Sequence, residues 1–445
     1  MPHQVSPSLK AGSETLSYLY GLQRRGMKFG LRNMRSLLNR VGHPERAFPS
    51  VHIAGTNGKG STAAFLSSMF MEAGCRTGLY TSPHLIRFTE RIRINGREIP
   101  GERLGRYVRM LRPAIEEVRA TFFEATTCVA FLYFADEEVD IAVIETGLGG
   151  RLDATNVLLP LAGVITNIDL DHREYLGNTI ASIAREKGGI IKRRVPMVTA
   201  ARDRTALRTL RAIAKRKGAR FIEARKRVRM ERASSGASWM FQTRCLGRFA
   251  SRLGLAGAFQ QENAALAVAV ADTLRENTAF VKDFRSFGKQ AVRRGLSEVA
   301  RNSGLEGRLE RLGKRGEYII DVAHNPAGIR ALVSALRRER GVPRAAVFGV
   351  MKDKDHLSML RSLVPFVRKL IPVAPRMERA LAVSRLRMEA KRCGFEVGPG
   401  GSIRQGLREA RRLMQRARPE EGDYILVVGS HYVVGEFLAH LRSAG

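Results

Sequence analysis

The segment Val51-His-Ile-Ala-Gly-Thr-Asn-Gly-Lys-Gly-Ser61 is the feature that most restricts what this chain can fold into. Its β-branched start predicts a strand, its glycines predict a tight turn, and a helical pattern begins near Ser61. In such a turn the backbone N–H groups and the helix N-terminus point towards an anion. The segment therefore predicts a phosphate-binding loop, and a glycine-rich turn that binds no ligand is the alternative.

The side chains of this loop suit a nucleoside triphosphate with its magnesium ion. Lys59 can neutralise the β- and γ-phosphates, and the Ser61 hydroxyl can serve as a ligand to Mg²⁺. We therefore expect Lys59 to be catalytic and the loop to contact ATP. The expected nucleotide contacts in the loop are Thr56, Asn57, Gly58, Lys59, Gly60 and Ser61.

Short apolar runs alternate with helix-like segments along the rest of the chain, which is typical of parallel α/β architecture. We predict a P-loop parallel-sheet ATPase domain at residues 1–297, a polar linker at 298–307, and a smaller Rossmann-like α/β domain at 308–445. A β-rich insertion is expected within residues 220–255. The predicted strands are Ser50–Ala54, Asp140–Glu145, Leu161–Asn167, Val195–Thr199, Tyr318–Val322, Ala345–Val350, Leu370–Val373 and Tyr424–Val428. The predicted helices include Ser61–Ala73, Glu102–Val118, Thr126–Asp136, Thr179–Ile191, Gln261–Leu274, Ala327–Arg338, Ile403–Ala417 and Val433–Leu441.

The chain is strongly basic, with 76 Lys and Arg against 42 Asp and Glu and a formal net charge of +34. Such a charge attracts polyanions, but the Arg residues are spread over most of the chain, so a solvated basic surface is the alternative. No apolar run approaches the roughly 18 residues that span a bilayer, and the first residues do not resemble a signal peptide. The four cysteines lie far apart, which fits a reduced cytosol. We therefore expect a cytoplasmic protein.

One detail separates the loop from the common P-loop pattern, because Gly60 stands between Lys59 and Ser61. The loop resembles that of the Mur ligase superfamily and, within it, of the folylpolyglutamate synthase and dihydrofolate synthase branch. Further segments resemble this branch in the same order, from residue 26 to residue 435. They include Tyr80-Thr-Ser-Pro-His-Leu85, Glu145-Thr-Gly-Leu-Gly-Gly-Arg-Leu-Asp-Ala-Thr-Asn156, Glu186-Lys-Gly-Gly-Ile-Ile-Lys192, Gly307-Arg-Leu-Glu310 and Asp321-Val-Ala-His-Asn-Pro326.

The resemblance implies an ATP- and Mg²⁺-dependent ligase that joins a folate-type carboxylate to L-glutamate. A carboxylate is a poor electrophile, so ATP would first convert it to an acyl phosphate, which the amine of glutamate then attacks. This chemistry needs a phosphate cradle and metal ions beside the reacting carboxylate. The resemblance implies that the substrate is dihydropteroate, tetrahydrofolate or both, and that the enzyme is a monomer with two Mg²⁺ ions.

Glu145 is expected at the C-terminal end of a strand beside the loop strand, at the edge where ligands of open α/β sheets bind. Its carboxylate is a candidate ligand of Mg²⁺, and the capping of a turn is the alternative. Besides the Ser61 hydroxyl of the loop, the resemblance implies two further metal ligands, Ser82 and His172. It also implies that His172 and Lys187 are catalytic and that Lys187 carries a carbamate, although Gly189 stands where the family usually has alanine.

The second domain is expected to contribute to ATP binding. The resemblance implies that Arg308 contacts phosphate, which suits its fixed fork of donors, and that Asp321 accepts hydrogen bonds from the ribose hydroxyls. It places Asn263 of the first domain near the adenine or the phosphates. Val322 stands where the family usually has glycine, and His324 is expected to be structural or to lie beside ATP. Closure of two domains would exclude water from the acyl phosphate.

The resemblance also implies that several segments form a pocket for the pterin. Phe122 and Phe123 could stack on a flat heterocycle and Glu124 could bind its ring nitrogens, and packing of both rings in the core is the alternative. The implied pocket residues are Lys28, Phe29, Gly30, Thr121, Phe122, Phe123, Glu124, Leu152, Asp153 and Ala154.

Two other functions stay open as alternatives. A UDP-muramyl Mur ligase would share the loop, but the segments 121–124 and 82–84 argue against it, and we expect no UDP-binding domain ahead of the loop. A basic P-loop ATPase that binds nucleic acid would explain the net charge, but no helix-turn-helix, zinc-finger or RNP pattern accompanies it. We therefore expect ATP, L-glutamate and a pteroate or folate as partners, without a membrane or nucleic acid.

Overall fold

The computed structural model describes residues 7–26, 28, 30–233, 236–338, 341–416 and 423–443. These residues form two compact units. Unit 1 takes the described residues within 1–83, 88–254 and 262–305, and unit 2 takes those within 84–87, 255–261 and 306–445. Both units are α/β, which confirms the predicted fold class. In the described ranges, no helix is long and apolar enough to cross a membrane.

The elements of unit 1 follow one another from α1 to α13. The first part comprises α1 (Pro7–Gly21), α2 (Arg32–Arg40), β1 (Ser50–Ala54), α3 (Lys59–Glu72), β2 (Thr77–Tyr80), β3 (Ile92–Ile94), β4 (Arg97–Glu98), α4 (Gly101–Glu117), α5 (Phe122–Asp136), β5 (Ile141–Glu145), β6 (Ala162–Ile165), α6 (Arg173–Leu176), α7 (Ile180–Lys187), β7 (Met197–Thr199), α8 (Arg204–Arg216) and β8 (Phe221–Glu223). The second part comprises α9 (Ala224–Arg227), β9 (Arg229–Arg232), β10 (Trp239–Gln242), β11 (Arg248–Ser251), α10 (Phe259–Leu274), α11 (Thr278–Asp283), α12 (Lys289–Ser297) and α13 (Val299–Ser303).

Eight strands of unit 1 form one sheet in the order β4-β3-β2-β5-β1-β6-β7-β8. The six strands from β2 to β8 in this order run parallel, whereas β3 and β4 are added antiparallel at one edge. β1 lies in the middle and all five of its residues are buried, which is why its sequence does not alternate. Because parallel strands end at the same edge, the segments after β1, β5 and β6 are neighbours.

The start of α5 shows how a local signal places a helix in unit 1. The sequence predicts a helix at Thr126–Asp136, but the helix begins a turn earlier, at Phe122. The Glu124 N–H donates to the Thr121 hydroxyl oxygen at 3.3 Å, and the Thr121 N–H donates to a Glu124 carboxylate oxygen at 2.7 Å. This reciprocal capping box satisfies two N–H groups that the helix itself leaves unpaired, and it fixes the first turn.

Two regions of unit 1 have a composition that resembles that of loops, and both contain regular elements. The stretch 298–307 contains the short helix α13, where the Asn302 amide donates to the Ser68 hydroxyl at 3.0 Å and to the Glu72 carboxylate at 2.9 Å. The predicted β-rich insertion contains a three-stranded antiparallel sheet of order β11-β10-β9. The Ser, Asn and Arg residues of α13 are typical of a linker, so the sequence conceals its contacts with α3.

Unit 2 is a second, smaller α/β fold. Its elements are β12 (Glu310–Leu312), β13 (Tyr318–Ile320), α14 (Pro326–Leu336), β14 (Pro343–Phe348), α15 (His356–Leu363), β15 (Lys369–Ala374), α16 (Val383–Arg392), β16 (Glu396–Val397), β17 (Gly401–Ser402), α17 (Ile403–Arg416), β18 (Tyr424–Val428) and α18 (His431–Arg442). The strand order is β12-β13-β18-β14-β15-β16, with β17 beside β15 and only β12 antiparallel to its neighbour. The sequence predicts β18 with its observed bounds and misses α15 and α16.

Candidate active site

The glycine-rich loop joins β1 to α3, as the sequence predicts, and the helix begins at Lys59. Gly55 (φ 152°) and Gly58 (φ 82°) adopt backbone conformations that favour glycine. A Cβ atom at Gly55 would overlap the Thr166 hydroxyl, and one at Gly58 would overlap the Asn263 side-chain oxygen. Both glycines are therefore required by the close packing of the loop, and Asn263, a predicted nucleotide contact, lies directly against it.

The segment after β6 braces the loop. The N–H groups of Thr56 and Asn57 donate to the Asn167 carbonyl and side-chain oxygens at 2.9 and 2.7 Å. The Thr166 hydroxyl donates to the Asn57 carbonyl at 2.6 Å, and the Thr56 hydroxyl accepts from the Asp169 N–H at 3.0 Å. Because these bonds lie within the protein, the loop has its turned shape before a nucleotide binds. The sequence analysis gave Asn167 no role, because its contacts with the loop come from a segment more than a hundred residues away.

Lys59 and Glu145 come together beside the loop. The Lys59 ammonium lies 3.9 Å from one Glu145 carboxylate oxygen and donates to the Thr56 carbonyl at 3.3 Å. The other Glu145 oxygen accepts from the Ser82 N–H at 3.2 Å. Glu145 is 4 % exposed, and its position at the end of β5 next to β1 explains why it reaches the loop. Carboxylate and hydroxyl oxygens are hard ligands, so Glu145, Ser82 and the buried Ser61 fit a Mg²⁺ ion chemically.

Lys187 ends α7 and is buried against the loop. Its ammonium donates to the Gly55 carbonyl at 2.7 Å, and only 4 % of the residue is exposed. Two residues later, a Cβ atom at Gly189 would overlap the Cα and Cβ atoms of Arg151. The missing side chain at position 189 therefore allows the segment after Lys187 to pack against the segment after β5.

His172 lies at the start of α6 with a left-handed backbone conformation (φ 48°) and is about one-third exposed, with its Nε2 atom 3.8 Å from an Asp171 carboxylate oxygen. Among the residues that the structure describes, no group of three or more His, Cys, Asp or Glu side chains is arranged to hold a metal ion. The predicted role of His172 as a metal ligand stays a prediction.

The predicted pterin residues Phe122 and Phe123 belong to a group of aromatic side chains. The Phe122 ring stacks on Tyr20, with centroids 5.9 Å apart and planes at 12°, and the Arg91 guanidinium lies 5.3 Å from its centroid. The ring centroids of Phe123 and Tyr80 lie 6.1 Å apart. Tyr20 belongs to α1, about a hundred residues earlier in the chain, so tertiary packing rather than a local motif brings it to this group.

The other predicted pterin residues have polar contacts of their own. Thr121 and Glu124 form the capping box of α5, and the Asn33 amide lies 3.4 Å from the Glu124 carboxylate. The Lys28 ammonium donates to the Arg119 carbonyl at 2.8 Å. Phe29 lies outside the described residues. The remaining members of the predicted pocket are Gly30, which has a positive φ of 144°, Leu152, and Ala154, which opens a short 3₁₀ helix.

Asp153 supports the glycine-rich turn that follows β5. One carboxylate oxygen accepts from the N–H groups of Gly147 and Leu148, each at 2.9 Å. The other accepts from the Thr155 N–H at 3.0 Å and from its hydroxyl at 2.5 Å. Burial raises the pKa of Asp153, whereas these four donors favour its ionised form. The carboxylate therefore links the turn to the 3₁₀ helix behind it.

In unit 2, Asp321 follows β13 and is 5 % exposed. Its two oxygens accept from the N–H groups of Leu309 at 2.9 Å and Ala323 at 2.8 Å. Burial raises the pKa of Asp321 to about 6, and the nearby Arg308 opposes this rise. Val322, found where the family usually has glycine, is buried in the core of unit 2. The predicted contacts of Asp321 and Arg308 with ATP stay predictions.

His324 lies in the same loop of unit 2. Its Nδ1 atom lies 3.0 Å from the Val322 carbonyl, and its ring centroid lies 5.1 Å from that of His431. The ring is therefore oriented by the backbone of its own loop, and its place beside ATP stays a prediction.

Comparison with known domains gives the class of protein. The model of the Mur ligase middle domain matches residues 53–271, and that of the Mur ligase glutamate ligase domain matches residues 307–431. The first match contains the whole phosphate-binding loop, Glu145 and Lys187. The fold and these two matches thus define a ligase of the Mur type.

Similar proteins narrow this class to one family. The chain is 40% identical to the dihydrofolate synthase/folylpolyglutamate synthase of Bacillus subtilis, over 79% of this chain and 83% of the relative. It therefore belongs to the dihydrofolate synthase/folylpolyglutamate synthase family.

Solved structures agree with this family. A Mycobacterium tuberculosis folylpolyglutamate synthase complexed with ADP and AMPPCP has a TM-score of 0.84 and 31% identity, with 97% of this chain and 98% of that chain covered. A bifunctional folylpolyglutamate synthase/dihydrofolate synthase from Yersinia pestis, complexed with AMPPNP and Mn ion, has a TM-score of 0.83 and 27% identity, with 99% and 100% covered. The likeness extends over nearly the whole chain.

Proposed function

We propose that this chain is an ATP- and Mg²⁺-dependent ligase that joins L-glutamate to a pteroate or folate carboxylate through an acyl phosphate. One observation carries the proposal: the Lys59 ammonium, the Glu145 carboxylate and the buried Lys187 amine converge on a single phosphate-binding loop. Family membership supports this activity, because the B. subtilis relative bears both synthase names. The nucleotides in the solved relatives support ATP as the cosubstrate.

The loop binds and orients the triphosphate. Lys59 and the N-terminus of α3 offset the negative charge that spreads over the phosphoryl group during transfer to the substrate carboxylate. Thr166 and Asn167 hold the loop in its turned shape beforehand, so the donors need little reorganisation when ATP binds. The loop residues thus stabilise the phosphoryl transfer to the carboxylate, in addition to binding the nucleotide.

Glu145 is assigned to a divalent ion, with the Ser61 and Ser82 hydroxyls as further ligands. These residues would hold Mg²⁺, which would supply positive charge to offset the repulsion between the phosphates of ATP and the substrate carboxylate. The Mn ion in the Yersinia pestis structure supports a divalent ion here. The Ser82 N–H orients the Glu145 carboxylate towards the loop, and His172 is assigned to a second ion.

Lys187 is assigned a carbamate. In this reaction its neutral amine nitrogen forms a bond to the carbon of CO₂ and loses one proton, which leaves an anionic carboxylate-like group. Burial and a fixed position support the assignment, because the side chain is held against the loop and is 4 % exposed. The position of the amine beside the Gly55 carbonyl would place the new anion next to the loop. Intact-mass measurement with and without bicarbonate tests this, with Lys187→Ala as the control that must not gain the mass.

The aromatic group around Phe122 and Phe123 is assigned to the pterin. Both rings are only partly buried and lie at the start of α5, close to the turn at Gly147. A flat heterocycle gains from stacking on such rings. The assignment covers the substrate from the pterin to the reacting carboxylate. It does not cover the rest of a glutamate tail.

A turnover assay tests the proposed activity. The protein is incubated with ATP, Mg²⁺ and L-glutamate, together with either dihydropteroate or tetrahydrofolate, and the products are identified by mass. We expect a product heavier by one glutamyl residue with at least one of the two substrates, with one ADP and one phosphate released for each amide bond. Turnover with UDP-muramyl substrates alone, or ATP hydrolysis that responds only to nucleic acid, would contradict the proposal and support one of the two alternatives.

A further inference from the structure

A buried histidine lies in the middle of β1, three residues ahead of the phosphate-binding loop. His52 is fully buried and pairs with Ile144 of β5 and Gly163 of β6. Burial lowers its pKa to about 3, so its ring is neutral at physiological pH. No part of the proposed chemistry uses this side chain, although central strands of parallel sheets are usually apolar.

The hydrogen bonds of His52 lead to the Asp153 carboxylate. The His52 Nε2 atom lies 2.8 Å from the Thr155 hydroxyl oxygen, and this hydroxyl lies 2.5 Å from an Asp153 carboxylate oxygen. Thr155 is itself fully buried. A hydroxyl has one hydrogen, and the carboxylate can only accept it, so Thr155 donates to Asp153 and accepts from His52. The neutral ring therefore carries its hydrogen on Nε2.

The other ring nitrogen agrees with this tautomer. Within the described part of the chain, the Nδ1 atom of His52 is buried and has no hydrogen-bond partner. A hydrogen on Nδ1 would leave both a buried donor and the Thr155 oxygen without a partner. The tautomer with hydrogen on Nε2 leaves only one acceptor unpaired, which is the less unfavourable choice.

The far end of this chain of hydrogen bonds is the turn after Glu145. The second oxygen of Asp153 holds the N–H groups of Gly147 and Leu148. Gly147 in turn packs so closely on Phe123 that a Cβ atom there would lie 2.5 Å from the ring. The position of this turn thus affects both the carboxylate assigned to the metal and the ring assigned to the pterin.

We propose that Thr155, oriented by His52, is a positioning residue that holds the Gly147–Leu148 turn in place through Asp153. Its hydroxyl supplies the fourth donor to a buried carboxylate whose other donors all come from the backbone. Without that donor, the carboxylate can rotate and release one of the two turn N–H groups. The consequence for substrate binding rests on the proposed function, whereas the effect on the turn does not.

Hydrogen exchange tests the positioning directly. Thr155→Val keeps the shape of the side chain and removes the hydroxyl, whereas Thr155→Ser keeps the hydroxyl. We expect amide exchange in the segment 146–149, measured by mass spectrometry, to be about tenfold faster in Thr155→Val and nearly unchanged in Thr155→Ser. Equal exchange in the wild type and Thr155→Val would overturn the proposal, whether or not the enzyme makes folates.

His52 provides a second, independent test. His52→Gln can keep a donor near the Nε2 position, whereas His52→Met has none. We expect His52→Met to increase exchange in the segment 146–149 by about threefold, and His52→Gln to increase it less. In the double variant with Thr155→Val, the His52→Met change should add nothing, because the hydroxyl that it acts on is gone. Additive effects of the two changes would show that no relay joins them.

Kinetics separate a positioning role from general destabilisation. In Thr155→Val we expect the KM for the pteroate or folate substrate to rise about tenfold, with the KM for ATP changed less than about twofold. Thr155→Ser should restore the wild-type value. A fall in kcat with all KM values unchanged, together with a lowered Tm, would indicate a merely structural role and overturn the proposal. A wild type without ligase activity would refute the proposed function while leaving the exchange test valid.

Discussion

A buried carboxylate lies at the end of a strand in each unit, and the two have different neighbours. Glu145 is the last residue of β5, and Asp321 directly follows β13. Glu145 faces the Lys59 ammonium at 3.9 Å and one N–H group. Asp321 uses both oxygens to bind N–H groups of its own loop segments. The same position on an α/β sheet thus supplies a charge beside a phosphate-binding loop in unit 1 and helps to fold a loop in unit 2.

The comparison predicts that removal of the cation beside Glu145 has the largest effect on activity. Lys59→Ala removes the side chain that offsets phosphate charge and that lies 3.9 Å from the Glu145 carboxylate. We expect kcat/KM for the ligase reaction to fall by at least about 10³-fold with either folate substrate. The measurement is product formation under saturating L-glutamate.

Lys226→Ala is the matched control for Lys59→Ala, because Lys226 is exposed and pairs with Glu223 on the surface of unit 1. It should keep turnover within about twofold of the wild type. Turnover near the wild-type rate in Lys59→Ala would contradict the role of the loop lysine.

The carboxylate itself is the next test. Glu145→Gln keeps the shape and the acceptor for the Ser82 N–H but removes the negative charge assigned to the metal. We expect kcat to fall by about 10²-fold and the half-maximal Mg²⁺ concentration to rise. In Glu137→Gln, the change affects ion pairs with Arg76 and Arg103 on the surface, and activity should persist. An unchanged Mg²⁺ requirement in Glu145→Gln would place the metal elsewhere.

Asp321 should matter for stability and its pH dependence. Burial raises the pKa of Asp321 from an unfolded value of 3.8 to about 6. A carboxyl group with a raised pKa stabilises the fold fully below its unfolded pKa, and this contribution is lost as the pH rises through its folded pKa. Between about pH 4 and pH 6, the free energy of unfolding should fall by up to about 3 kcal/mol relative to Asp321→Asn.

Denaturant unfolding followed by circular dichroism measures this difference at each pH. Asp353→Asn is the control, because Asp353 is partly exposed and forms a surface ion pair with Arg379. It should leave the pH profile as in the wild type. Parallel pH profiles of the wild type and Asp321→Asn would show that Asp321 titrates no differently in the folded chain.

The two carboxylates also show which features of the site could be predicted from the sequence. The loop at 55–61 was predictable because its glycines, lysine and serine are neighbours in the chain, and Glu145 because parallel strands end at one edge. The neighbours of Asp321 were not predictable in this way. Leu309 and Ala323 donate backbone N–H groups, which no residue type reveals.

Other parts of the site depend on contacts that are distant in sequence. Asn167 braces the loop from more than a hundred residues away, and Tyr20 stacks on Phe122 from an N-terminal helix that the strand and helix patterns did not predict. The sequence analysis missed α15, which has only eight residues, and α16, whose charged residues conceal a buried apolar face. Local patterns thus predicted the fold class and the loop, whereas the packing around the assigned pterin site required the structure.

A departure from the family pattern in each unit extends the comparison, since unit 1 lacks a side chain at Gly189 and unit 2 gains one at Val322. A Cβ atom at Gly189 would overlap the backbone of Arg151, so Gly189→Ala must move the segment that follows Lys187. We expect a loss of about 1–3 kcal/mol in the free energy of unfolding. Gly101→Ala is the matched control. Gly101 is the first residue of α4, and a Cβ atom at this position would meet no atom within 4 Å. It should be neutral or stabilise the fold by up to about 1 kcal/mol. Equal stability of both variants would mean that the backbone around Arg151 adapts freely, and Gly189 would then have no structural role.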